Sequence, residues 1–233
     1  MRYILILGLL SLAGCTNSYV VTQHGGMRDA LRNGNTQARI TFEEVNATPN
    51  AFGVGALTHL DGEVTIFKGD VYSATTSDGT TAVTKINDAQ YDSATLLSLS
   101  HVDSWNQMKL STELPLEEAI ELAAAMFGID TNEPFPFFIT GAASEYHIHV
   151  INGYCPVANP DLASKYQPWR QTNSKSEDIT VVGFYAKDQE GRMTHHGSNV
   201  HIHGIMDIDG VLTTGHLDSV ELEDGAVIFV PAN

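Results

Sequence analysis

Val200-His201-Ile202-His203-Gly204-Ile205-Met206, then Asp207-Ile208-Asp209-Gly210, then Val211-Leu212-Thr213-Thr214-Gly215-His216-Leu217 reads as two strands joined by a short turn. Residues two apart on a strand share a face. His201 and His203 therefore project together, while Val200, Ile202 and Met206 take the other face. That apolar face can pack on a core, which leaves the two imidazoles facing a cavity. If Asp209-Gly210 forms a two-residue turn, His216 lies opposite His203. If Ile208-Asp209 turns instead, His216 lies opposite His201. Both registers put His216 on the face of the pair, and a three-residue loop would turn it away. Asp-Gly favours the two-residue turn.

Two histidines on one face fit a packing role as readily as a metal. The third, on the paired strand, is what points to a cation. Three neutral imidazoles leave at least one coordination position open on a zinc-like ion, whereas closed structural sites use four protein ligands. Nickel, copper or iron would suit the same donors. His195-His196, beside Gly197, reads as a loop pair outside this site.

Outward from the hairpin the chain is mostly strand-like. Phe52 to Leu60 and Glu63 to Tyr72 are apolar-rich runs split by Asp61-Gly62, a hairpin signal. Ser77-Asp78-Gly79 marks another turn. Residues 134–152, Ile179 to Tyr185 and Ala226 to Val230 read as further strands. Residues 26–34 read as a short helix ending at Gly34. A clearer helix covers Leu116 to Phe127, with Pro115 at its start, Glu117 and Glu118 at its positive end, and Gly128 after it. Residues 153–178, rich in Pro, Asn and Ser, read as a long connection. The fold class is mainly β (α+β): two packed mixed or antiparallel sheet or barrel units with one or two helices.

The 233 residues are 42% hydrophobic, enough for a substantial core. A formal net charge of −16 argues against nucleic acid or an anionic lipid surface as a charge-driven partner. Met1-Arg2-Tyr3 and the apolar Ile4 to Leu12 fit a secretory signal, too short for a mature membrane span. Leu12-Ala13-Gly14-Cys15 resembles a bacterial lipobox, which implies cleavage before Cys15 and its acylation. The expected organisation is a signal over 1–14, a tether over 15–25, a β-rich part with a helix over 26–152, and a second β part over 153–233. The protein is then an exported lipoprotein on the cell-envelope side, held at a membrane only through its lipid. With Cys15 lipidated, Cys155 has no intrachain partner.

Leu60-Asp61-Gly62-Glu63 resembles the LDGE segment of the alpha-acetolactate decarboxylases. Phe135-Pro136-Phe137 with Ile139 and Gly141 is similar to that family's central strand, and Val181-Val182-Gly183-Phe184 to its VGF segment. His201-Ile202-His203, Gly215-His216-Leu217-Asp218 and Glu221-Leu222-Glu223-Asp224-Gly225 continue the likeness, which spans roughly residues 26–230. The resemblance implies a two-part β fold with mixed sheets, often dimeric, and a zinc-dependent conversion of 2-acetolactate, a small 2-hydroxy-3-oxo acid, to acetoin and carbon dioxide. It makes His201, His203 and His216 the zinc ligands and places Glu63 at the active site, to deliver a proton or orient the substrate hydroxyl. A surface glutamate flanking a turn is the plainer reading of Glu63.

Two departures stand against the likeness. Where the family has a carboxylate-pairing arginine, this chain has His149, in His147-Ile148-His149. Histidine lacks arginine's permanent two-pronged fork; His149 would serve when protonated or add a metal contact, and Arg170 or Arg192 offer alternatives. The family's C-terminal extension with its active-site glutamate has no counterpart before Asn233. Two other readings therefore stay open: a metal-binding lipoprotein on the same scaffold without this activity or acting on another small oxo or hydroxy acid, and a cupin-like barrel using His147/His149 and His201/His203.

Overall fold

In the computed structural model, residues 19–46, 49–153 and 167–232 are described. The signal, the lipobox cysteine Cys15, Cys155 and residues 154–166 of the 153–178 connection lie outside them.

The first sheet contains β1 (Val21–His24), β2 (Ile40–Thr41), β3 (Ala51–Leu57), β4 (Glu63–Phe67), β5 (Asp70–Thr75), β6 (Val83–Ile86) and β7 (Ser93–His101). Its order is β1-β7-β3-β4-β5-β6, with β2 also on β7. The second contains β8 (Trp105–Lys109), β9 (Phe135–Val150), β10 (Trp169–Tyr185), β11 (Val200–Ile208), β12 (Val211–Leu222) and β13 (Val227–Pro231). Its order is β10-β11-β12-β9-β13-β8, and β9 also pairs β10, so β9 to β12 close into a ring. The strands of both sheets pair antiparallel among the described residues. Three α-helices accompany them among the described residues: α1 (Met27–Asn33), α2 (Phe42–Asn46) and α3 (Leu116–Met126).

Alternation on β4 shows how the sheets are held. Val64 and Ile66 enter a core with Ile40, Phe42, Val45, Leu57, Leu97 and Leu99 on the outer side of the first sheet. Glu63 and Thr65 take the opposite face, toward the second sheet. Val54 of β3 meets Val182 and Phe184 of β10 in the seam between the sheets. The largest core lies on the second sheet, where Ile120, Ala123 and Ala124 of α3 pack with Phe135, Phe137 and Ile139 of β9. Burying a side chain of this size contributes roughly 1.5–3 kcal/mol.

Several expectations shift. The sheet change falls between His101 and Trp105, well before residue 152, because the 16 residues of β9 pair with β10, β12 and β13. The tether expected over 15–25 gives way by Val21 to a strand paired with β7. The 153–178 connection gives way at Trp169, where β10 begins; its polar first half is stitched to β9 through register breaks, which hid it from a periodicity reading. Asp61-Gly62 is not a two-residue hairpin turn, for a 3-10 turn at Thr58–Leu60 precedes it. The tight turn is Lys68-Gly69, inside the run read as one strand, with φ of 54° and 89°. The two-sheet arrangement, built on antiparallel meanders, is not a cupin barrel.

Candidate metal centre

The β11–β12 hairpin turns at Asp209-Gly210, whose φ values of 53° and 82° suit a two-residue turn. Ile208 pairs Val211, and His203 stands directly opposite His216. One strand further, His216 pairs His149 on β9. An imidazole row thus crosses three neighbouring strands, with His201 two residues along β11. All four are buried: His201 is 3% exposed, His203 0%, His216 7% and His149 8%.

One donor nitrogen from each of His201, His203 and His216 lies within 4.8 Å of the others. The ring centroids are 5.1 Å apart for His201 and His203, 5.2 Å for His201 and His216, and 5.5 Å for His203 and His216. Burial pushes the His201 imidazole down to about 3 and His203 and His216 well below the usual histidine range, with neighbouring imidazoles adding to the effect. All three are therefore neutral at physiological pH, the form that ligates a metal. His203 Nε2 and His201 Nδ1 are buried without a hydrogen-bond partner among the described residues. A buried nitrogen lone pair left unmatched is costly, and a cation shared by the rings would satisfy it. The residues present fit such an ion.

Glu63 enters from the first sheet. Its Oε2 is 3.8 Å from His203 Nε2, and its Oε1 is 3.8 Å from His149 Nε2. Burial pushes its carboxyl up to about 8, although a hydrogen bond from the Ile151 backbone works against this. Glu63 and His203 therefore meet as neutral groups rather than as an ion pair. Gly62 makes this placement possible: a Cβ there would sit 2.1 Å from the Ala74 carbonyl oxygen, so the chain passes β5 only without a side chain. Leu60 O accepts from Gly153 N at 2.7 Å, which ties the loop to the end of β9.

His149 is oriented by Asp218, whose carboxylate lies 3.0 Å from His149 Nδ1; Arg170 Nη1 reaches the same carboxylate at 3.3 Å. Burial would raise the Asp218 carboxyl, but the His149 hydrogen bond and the charges beside it hold it below its usual range. His195, read from sequence as a loop residue outside the site, is brought in: its ring is 4.7 Å from that of His216. Glu117 of α3 fastens the following residues, accepting from Ser198 Oγ at 2.6 Å and Asn199 N at 3.2 Å. His147 stays outside the cluster, with its Nε2 3.1 Å from Glu145 Oε1. Arg192 also turns elsewhere, with Nη1 3.4 Å from Gln189 Oε1.

Behind His203, Thr65 Oγ1 lies 3.0 Å from Nδ1 and 2.7 Å from Thr214 Oγ1, which donates to Gly204 O at 2.7 Å. Sequence reading missed Thr65, Thr214 and Asp218. For Thr65 the signal was the spacing Glu63-Val64-Thr65, which puts both polar side chains on one face. Beside His216, the one of the three imidazoles that reaches it, opens a cavity of about 560 Å³, lined by His149, His195, His216, Arg28, Arg32 and Asp218 among others. Arg28 and Arg32, one turn apart on α1, give its mouth positive charge.

A family model described as alpha-acetolactate decarboxylase matches residues 21–233. Among solved structures, alpha-acetolactate decarboxylase from Bacillus subtilis strain 168 is similar at 21% identity and a TM-score of 0.62, over 91% of this chain and 86% of that one. A Staphylococcus aureus protein of unknown function, itself similar to alpha-acetolactate decarboxylase, matches at 19% identity and a TM-score of 0.60, over 90% of this chain and 84% of that one. These structural likenesses concern the fold. No curated protein matches the sequence.

Proposed function

The chain belongs to the alpha-acetolactate decarboxylase family, and on that premise we propose that it is a divalent-cation-dependent carboxy-lyase converting 2-acetolactate to acetoin and carbon dioxide. The observation that carries this reading is the convergence of His201, His203 and His216 within 4.8 Å, with Glu63 3.8 Å from His203 Nε2. These three imidazoles would hold the ion, with zinc first among candidates. A bound cation would supply Lewis-acid polarisation of the substrate's ketone and hydroxyl oxygens.

The chain's own groups account for the rest. Arg28 and Arg32 draw a small organic anion toward the cavity. The bond from the tertiary carbon to the carboxylate breaks, carbon dioxide leaves, and the electron pair passes into the neighbouring ketone to give an enediolate. One proton must then reach carbon. On this reading Glu63, 3.8 Å from His203 Nε2, delivers it, and His149, held by Asp218, orients the substrate. Purified protein given 2-acetolactate should release acetoin, and a chelator should stop it.

A second reading rests on His149. Its Nδ1 is committed to Asp218, and it offers no two-pronged grip on a carboxylate. That favours a metal-binding protein of the same scaffold acting on another small oxo or hydroxy acid, or on none. Bound zinc with no acetoin would select it. The Leu12-Ala13-Gly14-Cys15 motif further supports an envelope lipoprotein; mass spectrometry of the mature N-terminus, showing an acylated Cys15 or an unmodified one, decides this.

A further inference from the structure

We infer that Thr65 and Thr214, hydroxyl residues from the two different sheets, form a relay that fixes His203 in its Nδ1–H tautomer and so dedicates Nε2 to the cation. The inference rests on the metal-site reading above and adds positioning residues to it.

Counting protons along the relay leaves one solution. The Gly204 carbonyl can only accept, so the 2.7 Å contact from Thr214 Oγ1 uses the single Thr214 hydroxyl proton. Thr65 Oγ1, 2.7 Å from Thr214 Oγ1, must then donate to it. Its proton spent, Thr65 Oγ1 can only accept from His203 Nδ1 at 3.0 Å. His203 Nδ1 therefore carries the ring proton, and Nε2 carries the lone pair. Nε2 is the atom left buried without a hydrogen-bond partner among the described residues, and it faces Glu63 at 3.8 Å.

The geometry requires both sheets. β4 reaches His203 from two sides, because Glu63 and Thr65, two residues apart, share one strand face. Glu63 approaches Nε2 while Thr65 holds Nδ1. Thr65 is 0% exposed and Thr214 0%, so no solvent competes for either hydroxyl. The acceptor at the end is the backbone of the residue after His203, so the relay is anchored on the strand it serves. Hydrogen bonding of a ligand's second ring nitrogen sets tautomer and ring orientation, and losing such a partner typically costs about 10–100-fold in metal affinity.

Long-range nitrogen–proton correlation spectra of the cation-free protein should show His203 protonated at Nδ1; protonation at Nε2 overturns the inference. Zinc affinity is then measured by competition with a chromophoric chelator. Thr65→Val, which keeps shape and deletes the hydroxyl, should weaken zinc binding by about 10-fold or more, and Thr65→Ser should stay within about 3-fold of the parent. Thr214→Val, in which Thr65 becomes free to donate to Nδ1, should shift His203 toward the Nε2–H form and weaken zinc binding as well. Unchanged affinity in both valine variants overturns the relay. A parent protein that binds no zinc sinks the metal reading itself, whereas normal parent binding with unchanged variants sinks only the relay. Should Thr65→Val fail to fold, the tautomer of the parent and the Thr214→Val titration still decide.

Discussion

His203 and His216 stand directly opposite each other across the β11–β12 ladder, their ring centroids 5.5 Å apart and their planes at 87°. The rings do not stack, and one donor nitrogen of each lies within 4.8 Å of the other and of one from His201. Several expected outcomes depend on this pair and its neighbours.

His216→Ala should abolish tight binding of a single divalent cation, because two imidazoles from one strand remain and the third donor is gone. His147→Ala should leave binding intact, since His147 is held by Glu145 away from the cluster. Metal content after dialysis reads both. Retention in His216→Ala with loss in His147→Ala would reverse the assignment of the site.

Glu63→Gln should keep the cation while slowing acetoin formation by about 10²–10⁴-fold, the usual contribution of a positioned proton donor. Steady-state kinetics on metal-replete protein gives the answer. Undiminished turnover would return Glu63 to a purely structural role.

Arg28→Ala with Arg32→Ala should raise KM for an anionic substrate more than it lowers kcat, by about 3–10-fold at low ionic strength, with the difference shrinking as salt screens the mouth. Both side chains are exposed, so little stability should be lost. A salt-independent KM identical to that of the parent would remove them from substrate capture.

The cation-free protein should be most stable near pH 6.5. His201 is driven from 6.5 to about 3 on folding, and His203 and His216 are driven down as well. Below pH 6.5 the unfolded chain takes up protons that the folded chain refuses, so stability falls with decreasing pH. Glu63 works in the opposite sense, its carboxyl rising from 4.5 to about 8. Its contribution is full below pH 4.5 and lost as pH rises to about 8. Three histidines outweigh one glutamate below pH 6.5, and Glu63 acts without them above it. Each group changes stability by at most about 1.4 kcal/mol per pH unit. Thermal melting across pH 4–9 in chelator should show this, with the alkaline limb flattened in Glu63→Gln. A melting temperature that keeps rising to pH 9 contradicts it.

The sequence by itself determined the local half of this site. Alternation put His201 and His203 on one face, and Asp209-Gly210 set a two-residue turn that brought His216 opposite His203. α1, α3, β11, β12 and β13 were legible within a few residues, because their apolar periodicity, caps and turn residues act over short stretches. Tertiary structure alone decided what meets the hairpin. Pairing of β9 with β12 brought His149 beside His216, and the packing of β4 on the second sheet set Glu63 and Thr65 on either side of His203. The loop tied down by Glu117 delivered His195. These contacts join residues as far apart in the chain as Glu63 and His203. Nothing local encodes them: His149 meets His216 only when β9 pairs with β12 within one sheet, and Glu63 and Thr65 reach His203 only when the two sheets bury their faces against each other.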